Sequence, residues 1–489
     1  MQKITLNILI ILQILAVSSM AQVIPLKTIP VASGDQFRVT PSENLAMGNI
    51  GIALNDIYAD PFINPAKGIR IDGVNLFSAP TFYNISNENG SARTLPFGVL
   101  VQTENWYGGF SFSIQQLQGR ERFNFWPSVD FTTDLFFMPE PLSLNEQNNS
   151  NLYISGLLGT EISDNISLGA SIFWAELEAV EGVDLLYPRS FSIEQSGNIA
   201  DIRLGLLGKS SNQRYYEFLL LHSRYDMTHD VNYGFLFNEL GRITGDNIEQ
   251  NLDRTNTWGA HFGYVQPLNA NDWQIGGILT VNRKDHPKIP NYDLVNIPRD
   301  PGNSWAFATG VGIARQTGTS TFGADLIFEP IWSHTWAEAA EPVQTVSGDI
   351  IPAGGRTIEN DFQFRNWLFK MGIGHQAGVF GFQLGLQLRW IRYWLDQTNI
   401  VEGFDRSQRE SWAEWTPGIG FNLNFPDFNI RYTGRFTTGT GQPGVAFPAF
   451  AADAALANSD IIAAPGGPLT LQEALVFTHQ FTLSVPLRK

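Results

Sequence analysis

The chain has 489 residues, no cysteine, a formal net charge of −16 and only 16% charged residues. This acidic balance, with no basic run among aromatic residues, argues against a nucleic-acid partner. Without cysteine there can be no disulfide, thiolate metal site or cysteine nucleophile. The length suits two or three soluble domains or one large barrel.

The first predicted element is an apolar stretch at the N-terminus. Lys3 precedes an apolar run through Val17, and small residues follow at Ser19 and Ala21. This order is typical of a secretory signal, so residues 1–21 are predicted to be cleaved off during export. An uncleaved anchor helix is the alternative. No later stretch approaches the roughly 20 apolar residues that a membrane helix needs.

Alternating segments recur from Gly73 to the end of the chain, and we count sixteen. Most run about ten residues, which is the length of a tilted strand that crosses a membrane. In FGFQLGLQLRW, which begins at Phe380, every second residue is large and apolar. A period of two gives a strand one apolar face and one polar face. The apolar positions predicted to face lipid are Phe382, Leu384, Leu386, Leu388 and Trp390.

Short and long connections alternate between these segments. The short ones hold turn residues, as at Asp164-Asn165, and the long ones run for fifteen to thirty-five residues. Tryptophans recur near segment ends, as in an interfacial girdle, at Trp106, Trp258, Trp305, Trp390 and Trp415. The long connections are Gly119–Ser150, Thr228–Asn256, Ser333–Asn360 and Thr440–Glu473. We therefore predict an all-β fold, a closed antiparallel transmembrane β-barrel over residues 72–489. A soluble array of β-sandwiches is the alternative.

The segment before the first strand carries a family resemblance. ENLAMGNIGIALNDIYADPFINPAKG, which begins at Glu43, resembles the N-terminal segment of the FadL family of outer-membrane transporters for hydrophobic compounds. It is also similar to the PorV branch of the same superfamily, whose members serve protein secretion. The residues that carry the motif are Met47, Gly48, Gly51, Asn64, Pro65 and Ala66.

The resemblance implies a fold and a function. Residues 22–71 are expected to fold into the barrel mouth as a plug. The alternative is that Asn64-Pro65-Ala66 only caps a turn into the first strand. Family barrels have fourteen strands, so the count of sixteen conflicts with the family. Passive uptake of a hydrophobic, fatty-acid-like molecule is the leading function, and a PorV-like adaptor for another outer-membrane or secreted protein is the alternative. Both place the chain in the outer membrane of a Gram-negative cell, in contact with its lipid.

Charged residues fall on the predicted inner face of several strands. They are Arg203, Glu217, Asp325, Glu329, Lys370, Arg389, Arg431 and Arg435. Mixed charges inside a barrel usually pair with one another and with a plug, which lowers their desolvation cost. The alternative is that the arginines hold the carboxylate head group of a ligand.

The predicted loop Gly119–Ser150 is unusually aromatic for a segment facing water. A cluster of this size is normally a binding surface, although the loop could instead fold inward or pack on a partner protein. The predicted ligand-binding residues are Phe123, Phe125, Trp126, Phe131, Leu135, Phe136, Phe137 and Met138.

The sequence gives little support for catalysis. It has no Gly-x-Ser-x-Gly elbow, no His-Glu-x-x-His and no glycine-rich phosphate loop. None of the seven histidines has a metal-ligand partner four residues later, and His261 alone is predicted to face the lumen. We therefore predict no enzyme activity, no cofactor and no metal, with a barrel enzyme as the third alternative.

Overall fold

The computed structural model describes most of the predicted barrel and the segment that precedes it. The described residues are 32, 34–87, 90–118, 149–181, 183, 192–210, 214–237, 243–268, 272–286, 302–339, 341–443 and 471–487. The predicted signal, residues 1–21, and the first part of the predicted plug lie outside these ranges.

Sixteen antiparallel strands of the described chain form one closed sheet. Their bounds are β1 (Val74–Ser78, continued in Thr81–Ile85), β2 (Ser91–Gln102), β3 (Trp106–Gln118), β4 (Asn149–Ser163), β5 (Ile166–Leu177), β6 (Ser192–Lys209), β7 (Tyr215–Phe237), β8 (Ile243–Pro267), β9 (Trp273–His286), β10 (Gly302–Gln316), β11 (Ser320–Glu338), β12 (Arg356–Ala377), β13 (Phe380–Asn399), β14 (Phe404–Asn424), β15 (Asn429–Pro443) and β16 (Leu471–Leu487). A small hairpin pairs Val343–Gln344 with Ile350–Ile351 between β11 and β12.

The sheet closes where β1 lies between the last strand and β2. Leu76 is the cross-strand partner of Val485 on β16 and of Val99 on β2. β1 is interrupted at Pro80, which has no N–H to donate to the ladder. The predicted count of sixteen strands is therefore confirmed, and the fourteen that the family resemblance implied is wrong for this chain.

The strands are longer than predicted, which corrects several predicted loops. β7 has 23 residues and β8 has 25, so most of the predicted connection Thr228–Asn256 is strand. Likewise β11 and β12 extend into the predicted loop Ser333–Asn360. The physical reason is that these extensions leave the membrane, where the outer face becomes polar while the backbone ladder continues.

We call the end of the barrel where every connection between strands is short, as at 164–165 and 378–379, the turn half. The opposite end, where short connections such as 400–403 and long ones both occur, is the loop half. In the turn half, the outer face carries exposed apolar side chains such as Leu158 and Leu384. Between the halves, outward tryptophans form a girdle: Trp258, Trp305, Trp332, Trp367, Trp390 and Trp415. An apolar outer band bordered by tryptophans is the surface of a transmembrane barrel.

No helix in the described ranges is both long enough and apolar enough to cross a membrane. The helices are short and lie before β1, in the segment 34–71. Asp60–Ile63 is a single α-helical turn, and Leu45–Met47 and Pro65–Arg70 are 3-10 helices. This N-terminal segment contacts the inner face of the barrel wall.

Candidate functional site: the barrel lumen

One carboxylate organises the N-terminal segment. Asp56 is buried, and its Oδ2 accepts hydrogen bonds from the Ser42 hydroxyl (2.6 Å) and the Glu43 backbone N–H (2.7 Å). Its Oδ1 accepts from the backbone N–H groups of Tyr58 (3.1 Å) and Ala59 (3.0 Å). Because a buried carboxylate needs such donors, Asp56 holds the stretch at Ser42–Glu43 against the stretch at Tyr58–Ala59.

The first part of the motif meets the wall backbone to backbone. Gly48 has a φ of 72°, and a Cβ there would lie 2.6 Å from the Leu386 carbonyl oxygen. On the wall, a Cβ at Gly385 would lie 2.2 Å from the backbone nitrogen of Gly48. The Gly51 N–H donates to Asp325 Oδ2 at 2.8 Å. A side chain on Gly48 or Gly385 would therefore push the segment away from the wall.

Apolar side chains of the segment fill hollows that wall glycines leave. Met47 lies against Gly372, where a Cβ would come within 2.4 Å of the Met47 Cβ. Ile52 lies against Gly312, where a Cβ would come within 2.6 Å of the Ile52 Cβ. The wall glycines thus make the room that these two large side chains occupy.

The second part of the motif, Asn64-Pro65-Ala66, does more than start a turn. The Asn64 Oδ1 accepts from the Ala66 backbone N–H at 3.1 Å, which caps the helix Pro65–Arg70. Its Nδ2 donates to Glu217 Oε2 on β7 at 2.9 Å. The Ala66 carbonyl accepts from the Ser167 hydroxyl on β5 at 2.9 Å. The motif therefore connects the segment to two wall strands.

A buried charge cluster adjoins this motif. The Lys67 Nζ lies 3.1 Å from Glu217 Oε1 and 3.5 Å from Asp60 Oδ2. His261, predicted to face the lumen, places its Nε2 3.8 Å from the same Glu217 oxygen. Burial lowers the pKa of Lys67, but the carboxylates of Asp60 and Glu217 outweigh that effect and raise it. Lys67 therefore stays cationic and cancels part of the buried negative charge.

Two further cations of the wall bind carbonyl groups of the segment. The Arg203 Nη1 on β6 donates to the Ile63 carbonyl at 2.8 Å. The Lys370 Nζ on β12 donates to the Asn49 carbonyl at 3.0 Å. Ile63 is the last residue of its helical turn and Asn49 follows the helix Leu45–Met47, so neither carbonyl receives a hydrogen bond from within a helix.

The arginines of β15 pair with acids of the segment. The Arg431 Nη2 lies 3.0 Å from Glu43 Oε1, and Arg435 forms an ion pair with Asp35. A polar cavity of about 330 Å³ lies beside the first pair, lined in part by Tyr58. This cavity separates the N-terminal segment from the wall near the turns that join β14 and β15.

The last two predicted lumen charges pair with each other. Arg389 Nη1 on β13 lies 3.8 Å from Glu329 Oε2 on β11, and both side chains are buried. The structure thus turns all eight predicted charges inward. Six contact the N-terminal segment through Ile63, Asn64, Lys67, Gly51, Asn49, Glu43 and Asp35. This geometry favours a structural network over arginines kept for a ligand.

The loop half has an apolar lining that the sequence analysis missed. One cluster on β10–β13 consists of Ala306, Ile331, Phe362, Phe364, Tyr393 and Leu395. Another, on β4–β7 with Val39 of the N-terminal segment, consists of Val39, Tyr153, Ala175, Leu177, Ile199 and Met227. The signal was present in the sequence of β13. After Trp390 the large apolar residues move from even to odd positions, so the lumen face becomes apolar.

The eight aromatic and apolar residues predicted to bind ligand, Phe123 to Met138, lie outside the described residues. Their role stays a prediction. The described residues contain no group of three or more acidic or histidine side chains placed to hold a metal ion.

Comparison with known proteins gives weak likenesses only. No family model matches the chain, and no curated protein matches it. Among solved structures, a Pseudomonas aeruginosa FadL homologue is 11% identical with a TM-score of 0.38, and covers 92% of this chain and 99% of its own. The Pseudomonas putida toluene transporter TodX is 11% identical with a TM-score of 0.36 (96% and 100% covered). The Neisseria meningitidis iron transporter FrpB is 9% identical with a TM-score of 0.33 (84% and 81% covered). At these values the likenesses carry no argument about function.

Proposed function

We propose that this barrel mediates passive uptake of hydrophobic small molecules across the outer membrane. The observation that carries the proposal is the division of the lumen. Two apolar clusters line part of its loop half, where residues 34–39 also lie, whereas residues 42–71 of the N-terminal segment fill its turn half. An apolar lining gives a hydrophobic solute a favourable site, and a docked segment keeps the lumen closed until a solute arrives.

In this proposal the N-terminal segment is the gate. Apart from its peptide connection to β1, it is held to the wall by hydrogen bonds, ion pairs and close glycine contacts, so it can move without unfolding the wall. The polar cavity beside Glu43 and Arg431 lies between the segment and the wall and leaves room for movement there. The proposal also takes residues 22–71 as a unit distinct from the barrel and residues 1–21 as its cleaved signal.

An engineered disulfide tests the gate. The chain has no cysteine, so Ala46→Cys with Gly420→Cys creates a single pair. A Cβ at Gly420 would lie 2.6 Å from the Ala46 Cβ, so a shift of about 1 Å brings the pair to disulfide spacing. After treatment with an oxidant, we expect cells that express the double variant to take up a tritiated hydrophobic probe only at the background rate. Addition of a reductant should restore uptake.

The two single-cysteine variants serve as controls and should take up the probe under both conditions. Normal uptake by the oxidised, fully cross-linked protein would exclude movement of the segment as the gate.

We further propose that the aromatic loop between Phe123 and Met138 captures the solute outside the barrel. Each large apolar side chain left in water forgoes roughly 1.5–3 kcal/mol of burial, so eight in sixteen residues need a covering partner. Replacing Phe125, Trp126, Phe136 and Phe137 with Ser should reduce probe uptake while heat-modifiable migration shows an assembled barrel. If this variant takes up the probe normally and instead loses a co-purifying protein, the adaptor function is correct.

A further inference from the structure

A row of five side chains crosses the inner wall of the loop half, one from each strand from β9 to β13. Its members are successive cross-strand partners: Asn282, Ala306, Ile331, Phe364 and Tyr393. All five are between 1% and 5% exposed. Four strand spacings separate the ends, which is about 19 Å along the wall.

The two ends of the row are polar and the middle is apolar. Among the described residues, neither Nδ2 nor Oδ1 of Asn282 has a hydrogen-bond partner, and the Tyr393 hydroxyl has none either. Ala306, Ile331 and Phe364 lie between them. Buried polar atoms without a partner are uncommon because each loses its hydrogen bonds to water, so such atoms point to a missing partner.

Two hydroxyl groups extend the polar end at Asn282. Ser223 on β7 and Thr257 on β8 are cross-strand partners. Thr257 lies two residues nearer the loop end of β8 than Gly259, which is the cross-strand partner of Asn282. Their hydroxyl oxygens are buried and have no partner in the described part of the chain. A Cβ at Gly259 would lie 2.4 Å from Asn282 Oδ1, so the carboxamide lies across this glycine toward β7.

The charges nearby disfavour an anionic ligand. Lys284, the cross-strand partner of Thr257, interacts with the carboxylate of Asp253. At the other end, the cross-strand partner of Tyr393 is the acidic residue Glu410. The arginines predicted to face the lumen are all paired. Arg406, which interacts electrostatically with Tyr393, donates to Gln397 Oε1 at 2.6 Å. A carboxylate head group would therefore have to compete with the groups that these cations already contact, which is unfavourable.

We infer that the row from Asn282 to Tyr393 binds an elongated apolar molecule with a neutral hydrogen-bonding group at each end, such as a hydroxyl, carbonyl or amide. The inference rests on the proposed function, since uptake supplies the solute. The row is closed to solvent in this structure, so a ligand reaches it only after the side chains that cover it move.

Binding of tritiated probes to the full-length protein in detergent micelles tests the inference. The probes are hexadecane-1,16-diol, palmitate and hexadecane, and scintillation proximity reports their affinities. We expect the wild type to bind the diol at least about tenfold more tightly than palmitate. Asn282→Leu and Tyr393→Phe should each weaken diol binding about five- to tenfold, as expected for one lost hydrogen bond. Neither variant should change hexadecane binding.

Tyr264→Phe is the matched control, because this outward hydroxyl donates to Gln266 and lies far from the row. It should bind the diol as the wild type does, and all variants should keep heat-modifiable migration. Equal or tighter binding of palmitate, or unchanged diol binding in both row variants, would overturn the inference while leaving uptake in place. If the wild type binds none of the three probes, the proposed uptake fails as well.

Discussion

The turn half and the loop half of this barrel use the same strands in opposite ways. On β13, Leu384 faces lipid and Gln383 faces the N-terminal segment, whereas further along Leu395 faces the lumen and Asp396 faces outward. The strand keeps its period of two, but the apolar residues change sides. The difference shows that in a membrane barrel the environment on each side, rather than the backbone, decides which face is apolar.

Polar groups also differ between the halves. In the turn half the buried charges have partners, mostly in the N-terminal segment. In the loop half several buried neutral groups lack a partner among the described residues, including those of Asn282 and Tyr393. The first arrangement stabilises a docked segment, and the second leaves groups available to a solute.

The largest effect is expected where a buried charge loses its partner. Lys67→Met leaves Glu217 buried without its lysine partner and Asp60 with only Arg70, 3.9 Å away, which should cost about 3–5 kcal/mol in docking of the N-terminal segment. Hydrogen exchange of the Gly51 and Ala66 amides should accelerate at least about 100-fold, while urea unfolding of the barrel changes little.

The matched control removes an exposed cation from the loop half. Arg254 is 59% exposed and pairs with Asp226 at 3.3 Å, so Arg254→Met should change stability by less than about 1 kcal/mol. Equal exchange rates in the two variants would show that the segment is not held by the Lys67 cluster.

A lipid-facing charge should have the next largest effect. Leu384 is 44% exposed near the middle of the apolar band, so Leu384→Arg should destabilise the barrel by about 2–4 kcal/mol. Thr398 lies on the same face of β13 beyond the girdle, where Thr398→Arg should cost almost nothing. Urea titration of protein refolded into lipid vesicles measures the change in unfolding free energy for both variants. Equal changes would show that the membrane boundary inferred between residues 384 and 398 is wrong.

The smallest effects are expected from replacing a buried serine with alanine, once in the turn half (Ser167) and once in the loop half (Ser223). Ser167→Ala removes a buried hydroxyl that donates to the Ala66 carbonyl at 2.9 Å, which should cost about 1 kcal/mol. Ser223→Ala removes a buried hydroxyl without a partner in the described chain and should change the free energy of unfolding by less than about 0.5 kcal/mol. A cost for Ser223→Ala as large as that for Ser167→Ala would mean that Ser223 does have a partner.

The sequence alone determined the strand count, the antiparallel closure and the lipid-facing side of the turn half. These follow from local alternation, because a run such as Phe382 to Leu388 has one stable orientation in a bilayer. The sequence also placed the lumen charges on the inner face, since parity needs no knowledge of neighbouring strands.

Only the tertiary structure decided what those inner residues contact and where the strands end. Glu217 contacts Lys67 and Asn64, which lie about 150 residues earlier in the chain. The alternation of residues along one strand cannot predict a contact of such long sequence separation. The row from Asn282 to Tyr393 likewise depends on the register of five strands, and a shift of one residue would turn each side chain to the other face. Register is set by closure of the whole barrel, which is why the lining of the loop half emerged only from the folded molecule.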